Sequence, residues 1–310
     1  MVTAAPADPR AILADKLRWK DDLCARLVEH LRSGEVGDPA HLFAIVCYGS
    51  VLSPATRRPT SYHDFYLLVD SLAWFRRPRD RALGRVLPPS VYYREFADGL
   101  RCKYCVLTTS QFAREMRPPI RDLHNVGRFS KRVGIVYARD AGAFDLVVEG
   151  CLQAARTLRP HALALLGARF TLDEFIRMLL RLSYLGEQRV AEDSKLEALF
   201  LAEREHYRRF YGAVLAEAGL SPQRGESYQV APPAPEARQR TERLLERSRR
   251  FGKLRWPKYM LTVDGWLEIA LEKVERHHGV RIELTERERR WPLVFGWRKY
   301  FALKRRGVVK

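Results

Sequence analysis

The stretch Leu42-Phe43-Ala44-Ile45-Val46-Cys47-Tyr48-Gly49-Ser50 decides the fold, together with Asp64-Phe65-Tyr66-Leu67-Leu68-Val69-Asp70, which begins after thirteen intervening residues. Both are apolar runs of β-favouring residues, and each predicts a buried strand. The first strand stops at Gly49-Ser50, where a small backbone allows a tight turn that a triphosphate can approach closely. The second opens with Asp64, whose carboxylate can hold Mg²⁺ against phosphate oxygens. The pair predicts a phosphate-binding site; a plain strand-to-helix turn followed by a capping or salt-bridged Asp is the structural alternative.

A second carboxylate for the same metal is missing from the second strand. The position two residues after Asp64, on the same face, is Tyr66. Asp70 also shares that face, but six residues at about 3.3 Å each separate it from Asp64 by roughly 20 Å, far beyond the ~4 Å spacing of a two-metal site. We therefore expect any partner acid to come from elsewhere in the chain.

The net charge of +18 predicts an anionic partner, and nucleic acid, a phospholipid surface and a nucleotide all satisfy it. Part of the excess lies at the C-terminal end, where residues 281–310 hold ten Lys or Arg and three Glu. Hydrophobic residues make up 46% of the 310 residues. That share can build the core of one large domain or two modest ones, and it excludes a disordered tail.

The apolar runs and cysteines bear on the compartment. No run approaches the roughly 18 to 20 residues that cross a bilayer, and the first residues lack the order of a secretory signal. We expect a protein of the cytosol or of its membrane face. The five cysteines are odd in number and scattered, which predicts reduced thiols. Cys102 and Cys105 form a CxxC in an alternating run, where residues three apart point to opposite faces of a strand, so we expect core cysteines rather than zinc ligands.

The order of patterns predicts an α+β fold in which a mixed sheet with helices precedes a helical half. A capping box at Thr171-Leu172-Asp173-Glu174 opens the helical half. The predicted elements are helices over residues 10–32, from residue 171 and over about 194–217, and strands from Leu42, Asp64, Val91 and Leu100. The predicted divisions are a sheet domain at 10–150, a helical domain at 151–221, a proline-rich linker or loop at 222–243 and a basic region at 244–310.

The C-terminal segment predicts an amphipathic helix that begins at Pro292. Aromatic and apolar residues gather on one side and basic residues largely on the other, which is typical of a helix lying in a membrane interface. A core-packing helix with a solvated face is the alternative. The residues predicted to contact the membrane are Trp291, Trp297, Arg298, Lys299, Tyr300, Phe301, Arg305 and Arg306.

A set of short motifs points to one family. In chain order they are Tyr48-Gly49-Ser50, Asp64-Phe65 with Val69-Asp70, Ala73-Trp74, Val91-Tyr92-Tyr93, Asp98-Gly99, Lys103-Tyr104, Gly127-Arg128 with Lys131, and Leu182-Ser183-Tyr184 with Gly186, Arg189 and Glu192-Asp193. From about residue 43 to residue 215 the sequence resembles the mitochondrial translocator assembly and maintenance proteins. The resemblance departs from the family pattern at Val51, where a second glycine is usual, and at Glu187, which replaces an Asp.

The resemblance implies a peripheral membrane phosphatidate cytidylyltransferase, which makes CDP-diacylglycerol and pyrophosphate from CTP and phosphatidic acid with Mg²⁺. It implies a nucleotidyltransferase domain of the DNA polymerase β-like type, a winged-helix-like domain and a C-terminal region at the membrane. Because no organellar presequence precedes the motifs, we expect a bacterial relative that is cytoplasmic and peripheral on the inner face of the cell membrane.

The resemblance also implies residue roles. The phosphate monoester of the lipid is already anionic near neutral pH, so attack on CTP needs little help from a general base. Tyr92 and Tyr104 are expected in the core, and His63 as a hydrogen-bonded neighbour of Asp64. The predicted roles are catalysis by Asp64, Lys103 and Arg189, nucleotide binding by Tyr48, Gly49, Ser50, Arg128 and Lys131, and metal binding by Asp64 with Asp193 or Asp98. For Asp98 the alternative is structural, because Asp-Gly is the commonest hairpin turn signal.

Two alternatives belong to other functional classes. Nucleotide transfer to RNA or another phosphorylated acceptor would also suit the positive charge, but no recognisable nucleic-acid module occurs, and we expect no nucleic-acid partner. A membrane-binding scaffold without activity is the second alternative, because Tyr66 and Val51 replace residues that the chemistry usually needs.

Overall fold

The computed structural model describes residues 7–52, 63–185, 193–223, 226–263, 265–278 and 284–305. The strands are β1 Leu42–Tyr48, β2 His63–Val69, β3 Ser90–Glu95, β4 Arg101–Thr108, β5 Gly134–Ala138, β6 Arg169–Thr171 and β7 Ser227–Gln229. The helices are α1 Pro9–Leu17, α2 Asp22–Arg32, α3 Pro78–Arg85, α4 Thr109–Met116, α5 Val126–Phe129, α6 Ala141–Leu165, α7 Leu172–Leu185, α8 Asp193–Ala202, α9 Arg204–Ala216, α10 Pro235–Thr262, α11 Trp266–His278, α12 Glu286–Arg290 and α13 Pro292–Arg305.

Five strands form one mixed sheet in the order β3-β4-β2-β1-β5. β2 runs parallel to β4, whereas the other neighbouring pairs are antiparallel. The register places Asp64 of β2 opposite Tyr48 on one side and Lys103 on the other. A mixed sheet with many helices confirms the predicted α+β class.

The two faces of the sheet have separate cores because successive side chains of a strand alternate between faces. One face, here called the α6 face, packs Tyr48, Tyr66 and Cys105 with helices that include α6. The opposite face, here called the α2 face, packs Phe65 and Cys102 with α2. Cys102 and Cys105 are thus buried on opposite sides, which confirms the prediction that they are core residues.

The helix predicted over residues 10–32 is two helices, α1 and α2, and the prediction of one continuous helix is wrong. The Asp21 side chain accepts a hydrogen bond from the Cys24 amide, which begins α2 with an N-cap. The Trp19 amide donates to the Ile135 carbonyl, so the break also attaches the chain to β5. A capping residue next to a sheet edge therefore interrupts an otherwise helical pattern.

The second predicted helix, at 194–217, is also interrupted. α8 ends before Glu203 and α9 begins after it. Glu203 is buried and forms ion pairs with Arg132 and Lys16. The predicted capping box is confirmed, since the Thr171 hydroxyl accepts from the Glu174 amide at 3.2 Å and the Glu174 carboxylate accepts from the Thr171 amide at 2.7 Å.

The predicted divisions cut across elements. Residue 150 lies inside α6, whose buried face joins a core shared with the sheet, α7 and α9. The segment 222–243, assigned above to a linker or loop, contains β7 and the start of α10. Its prolines lead into a helix because Pro235 occupies the first helical position, where a missing N–H costs nothing. The division into domains stays a prediction.

The C-terminal helix predicted from Pro292 is confirmed as α13. Trp291 and Phe301 expose 59% and 52% of their surface. The side chains of Trp297 and Tyr300 and all of Arg306 lie outside the described part of the chain. Among the residues described, no helix has the length and apolar character needed to traverse a bilayer.

Candidate active site

Gly49 forms the turn at the end of β1. Its φ of +90° lies in the left-handed region that favours glycine, so a larger residue there would be strained. A Cβ at this position would lie 3.5 Å from Asp64 Oδ2. The backbone continues from Gly49 into a short 3-10 turn, Ser50–Leu52. The turn and the carboxylate predicted to act together are therefore direct neighbours.

Asp64 faces a lysine across the parallel pair of strands. Lys103 of β4 is opposite Asp64, and its Nζ lies 3.9 Å from Asp64 Oδ1. The Asp64 side chain is 31% exposed and the Lys103 side chain 24%, so both can reach a ligand from solvent. A carboxylate and an ammonium at one strand end are suited to a metal-bound polyphosphate, since the first holds the cation and the second contacts phosphate oxygens.

Arg128 supplies a second positive charge on the same face. It is buried on α5, and its Nη1 donates a 2.7 Å hydrogen bond to the Tyr48 hydroxyl. The guanidinium carbon lies 4.9 Å from the Tyr48 ring centroid. Burial raises the pKa of Tyr48 well above its usual value, and Arg128 opposes that shift. Tyr48 pairs with Asp64 in the sheet, so Arg128 lies on the face of the sheet that carries the carboxylate.

Lys131 and the end of α7 lie beside α5. The Lys131 Nζ is 4.1 Å from the centroid of the Tyr184 ring, within range of a cation–π contact. α5 approaches α7 so closely that a Cβ on Gly127 would be 2.9 Å from the Ser183 Cα. The close contact fixes the position of Arg128 and Lys131 relative to α7.

A family model described as "Phosphatidate cytidylyltransferase, mitochondrial" matches residues 81–246, just over half of the chain. The chain belongs to this family. Its members make CDP-diacylglycerol from CTP and phosphatidate, and the match confirms both the resemblance and the activity that the motifs predict. None of the curated proteins compared with the chain matches it.

The family match covers only part of the candidate site, and the sheet connects that part to the rest. The matched residues include Lys103, Arg128 and Lys131, but they begin after Gly49 and Asp64. Pairing of β2 with β4 brings Asp64 to Lys103. The fold thus joins the predicted phosphate turn and carboxylate to cationic residues of the part that defines the family.

The two candidates for a second metal ligand lie elsewhere in the described structure. Asp98 accepts hydrogen bonds from Arg26 at 3.0 Å and contacts His30 at 3.0 Å, and both partners belong to α2 on the opposite face. Its hydrogen bond with His30 lowers the pKa of Asp98. Asp193 accepts from Arg181 at 2.9 Å, and its side chain is 82% exposed. The structure does not bring Asp98 to Asp64, because Asp98 lies in the turn between β3 and β4, and its side chain is bound to α2.

Other predicted residues have clear locations. Asp70 contacts His41 and Arg139 beyond the far end of β2, so the prediction that it cannot share an ion with Asp64 is confirmed. Tyr92 stacks on Tyr104 with ring centroids 5.4 Å apart on the α2 face, which confirms their role in packing. Arg189 lies outside the described residues, as do residues 53–62 between the turn and β2.

Helix α10 contributes a residue near Lys103 that no sequence motif predicts. Tyr259 packs in a small core with Tyr93 of β3, and Tyr93 lies opposite Lys103. Burial, with smaller contributions from Cys105 and the Asp64 carboxylate, raises the pKa of Tyr259 to about 12. The alternation of β3 gives a signal for Tyr93, whereas no local pattern connects Tyr259 to the site.

The donor set suits a magnesium ion held mostly by substrate. Mg²⁺ in phosphate-transfer sites usually takes one or two carboxylates, with substrate phosphates and water completing its octahedron. Asp64 supplies one carboxylate at the phosphate turn, and partial exposure leaves room for the remaining oxygen ligands. The residues described here therefore fit the ion with a single protein carboxylate.

Proposed function

We propose that the Gly49 turn, Asp64 and Lys103 form the site at which the triphosphate of CTP binds and its nucleotidyl group is transferred to phosphatidic acid. One observation carries this proposal: the Asp64 carboxylate lies 3.5 Å from the Cβ position of the turn and 3.9 Å from the Lys103 ammonium. A small-residue turn, a carboxylate and a cation converge at one strand end, as a metal-bound polyphosphate requires.

Asp64 would hold Mg²⁺, and the ion would neutralise charge on the phosphates when bound. Asp193 stays the predicted second ligand, and to take that role it would have to leave Arg181. Arg189 stays a predicted catalytic residue; in the sequence it falls between α7 and α8, and Tyr184 at the end of α7 contacts Lys131.

The reaction needs charge compensation more than proton transfer. An oxygen of the phosphatidate monoester attacks the α-phosphorus of CTP and forms the new P–O bond, while the bond to the β-phosphate bridging oxygen breaks and pyrophosphate leaves. A monoester has a second pKa of about 6 and is largely dianionic near neutrality, so it needs no strong base. Lys103 and Arg128 would bind the nucleotide and stabilise charge on its phosphates, consistent with catalysis by positioning and electrostatics.

The fold supports a finer description. The five-stranded sheet with Asp64 at a strand end is consistent with a DNA polymerase β-like nucleotidyltransferase domain. Helices α7 to α9 with the two-stranded sheet of β6 and β7 are consistent with a winged-helix-like unit, in which the small sheet is the wing. Both assignments rest on this arrangement and on the resemblance.

A membrane-facing surface at the C-terminal end would give access to the lipid. α13 carries the exposed Trp291 and Phe301 at or near its ends, and α10 adds the exposed Trp256. Aromatic rings beside Lys and Arg are favoured at an anionic interface. We expect this surface to keep the protein peripheral on the inner face of the cell membrane. The proposed charged contacts are Arg298, Lys299, Arg305 and Arg306.

The test uses purified full-length protein, Mg²⁺, labelled CTP and liposomes that contain phosphatidic acid. Asp64→Asn should lower label transfer to lipid by about a hundredfold or more, because a neutral amide is a poor magnesium ligand. Asp70→Asn is the matched control, since Asp70 lies on the same side of the sheet at the opposite end and should retain most activity. Equal loss in both variants would contradict the site, and label on an added RNA primer instead of lipid would contradict the acceptor.

A further inference from the structure

Four metal-ligating side chains meet on the α2 face, outside the proposed active site. The Sγ atoms of Cys24 and Cys47 are 3.9 Å apart, and no disulfide joins them. The Nε2 of His63 is 4.0 Å from Asp21 Oδ1. One ligand atom from each of Asp21, Cys24 and His63 lies within 4.8 Å of the other two. Three ligand groups thus lie together, and the Cys47 thiol joins them through its contact with Cys24.

The local structure fixes each of these side chains. Asp21 caps α2 and accepts from the Cys24 amide at 3.0 Å, which holds the carboxylate beside the thiol. Cys47 of β1 lies opposite Phe65 of β2, so His63, two residues earlier on β2, is its diagonal neighbour on the same face. The side chains converge because a helix start packs on the ends of two paired strands.

The thiols and the imidazole of this cluster are buried, and one imidazole nitrogen has no hydrogen-bond partner among the described residues. Cys24, Cys47 and His63 are 1%, 0% and 4% exposed. The buried Nε2 of His63 makes no hydrogen bond with the residues described, and burying such an atom without a partner is costly. An imidazole nitrogen without a hydrogen-bond partner, next to two buried thiols, fits a metal-binding role.

We propose that Cys24, Cys47, His63 and Asp21 bind one structural Zn²⁺ ion. Zinc takes four ligands in a tetrahedron, with Zn–S of about 2.3 Å, and two thiolates on one ion then lie about 3.8 Å apart, close to the spacing of Cys24 and Cys47. Thiolate and imidazole ligands select zinc over magnesium. For all four to share one ion, Cys47, Asp21 and His63 would have to move closer together, since only Asp21, Cys24 and His63 lie within 4.8 Å of one another.

The ion would support the proposed active site without taking part in the reaction. Cys47 comes two residues before Gly49, and His63 immediately precedes Asp64. A zinc ion on the α2 face would therefore tie the start of α2 to both strand ends that carry the phosphate turn and the carboxylate. With four protein ligands the coordination is complete, which is typical of structural rather than catalytic zinc.

The test measures metal in the full-length protein purified under reducing conditions. We expect about one zinc per chain, and after chelation and cobalt titration a thiolate-to-cobalt charge-transfer band with tetrahedral d–d bands that zinc displaces. Cys24→Ala and Cys47→Ala should each weaken cobalt binding about tenfold or more. Cys151→Ala is the matched control, because Cys151 is equally buried but lies in the core of the α6 face, and it should retain the spectrum.

Asp64→Asn separates this site from the proposed function: it should lower nucleotidyl transfer by about a hundredfold or more and leave the cobalt-thiolate band unchanged. The wild-type measurements need no variant to fold. Absence of zinc together with absence of a thiolate band would overturn the proposal. So would a band that survives in both Cys24→Ala and Cys47→Ala, or a Cys24–Cys47 disulfide found by peptide mapping in the metal-free protein.

Discussion

Gly49 is needed both for the backbone conformation of the turn and for the proposed site. Its φ lies in the left-handed region, and a Cβ at this position would lie next to the Asp64 carboxylate. Gly49→Ala should reduce nucleotidyl transfer by about tenfold or more, since the added methyl group strains the turn and lies next to the carboxylate. Its effect on stability should be about 1 kcal/mol, the cost of an alanine in this backbone region. Steady-state transfer of labelled CTP to lipid and urea unfolding measure the two effects.

Gly99 provides the matched control for that prediction. It has a φ of +77°, and no atom lies within 4 Å of the position of a Cβ. Gly99→Ala should therefore destabilise the protein by a similar amount while transfer stays near the wild-type rate. If both variants lose activity equally, the loss at Gly49 reflects general strain rather than the site.

At the scale of residues, the sequence predicts those candidate site residues whose positions follow from neighbouring elements of the chain. Gly49 and Asp64 were identified because a strand end and the next strand start are visible in the chain, and Lys103 followed from a motif. The hairpin turn at Asp98-Gly99 is visible in the sequence, whereas the contacts of Asp98 with Arg26 and His30 are not, since these residues are distant in the chain. Tyr259 was missed because only the packing of α10 on β3 brings it near Lys103.

At the scale of elements, packing around His206 of helix α9 makes the stability of the protein depend on pH. Burial, together with Lys16, Arg132 and Arg209, lowers the pKa of His206 to about 4, and Asp15 opposes the shift. The His206 ring stacks on Phe210 with an interplanar angle of 4°. The folded protein therefore holds this imidazole neutral over a range in which the unfolded chain binds a proton.

The lowered pKa of His206 makes the folded protein less stable at acidic pH. Between about pH 6.5 and about pH 4 the unfolded state binds more protons than the folded state, so the free energy of unfolding falls as pH falls. Because His206 is partly exposed, we expect a contribution of about 1 kcal/mol between pH 7 and about pH 5. Urea unfolding at the two pH values should show a smaller decrease for His206→Gln than for the wild type, and equal decreases would contradict the prediction.

Element boundaries show where sequence patterns lose information. The helical spacing over residues 10–32 does not reveal the break at Asp21, since the residues on both sides keep the periodicity. The break at Glu203 has a tertiary cause, because its buried carboxylate pairs with Arg132 and Lys16. The β5 strand was likewise missed, and it is held by pairing with β1 rather than by a long alternating pattern.

At the scale of the whole molecule, the C-terminal helix should bind anionic vesicles. Each Arg or Lys near an anionic leaflet contributes about 1 kcal/mol, so the double variant Arg298→Gln, Arg305→Gln should bind vesicles containing phosphatidic acid roughly thirtyfold more weakly. Lys299 is a poorer choice, because its Nζ is paired with Glu288 at 3.2 Å. Cosedimentation with vesicles measures the change.

The control for vesicle binding removes the same charge elsewhere. Arg238→Gln, Arg243→Gln changes two exposed arginines in the first half of α10. It should bind vesicles like the wild type if α13 makes the contact. Equal weakening in both double variants would point to net charge alone, and strong binding to neutral vesicles would contradict the electrostatic part of the account.

The most direct measurement is a crystal structure of the full-length protein with Mg²⁺ and a CTP analogue whose α–β bridging oxygen is replaced by a methylene group. The account predicts the triphosphate on the Gly49 turn, a metal ion bound by Asp64 and phosphate oxygens within hydrogen-bond distance of Lys103. A nucleotide bound at another surface, with no metal ion on Asp64, would contradict it.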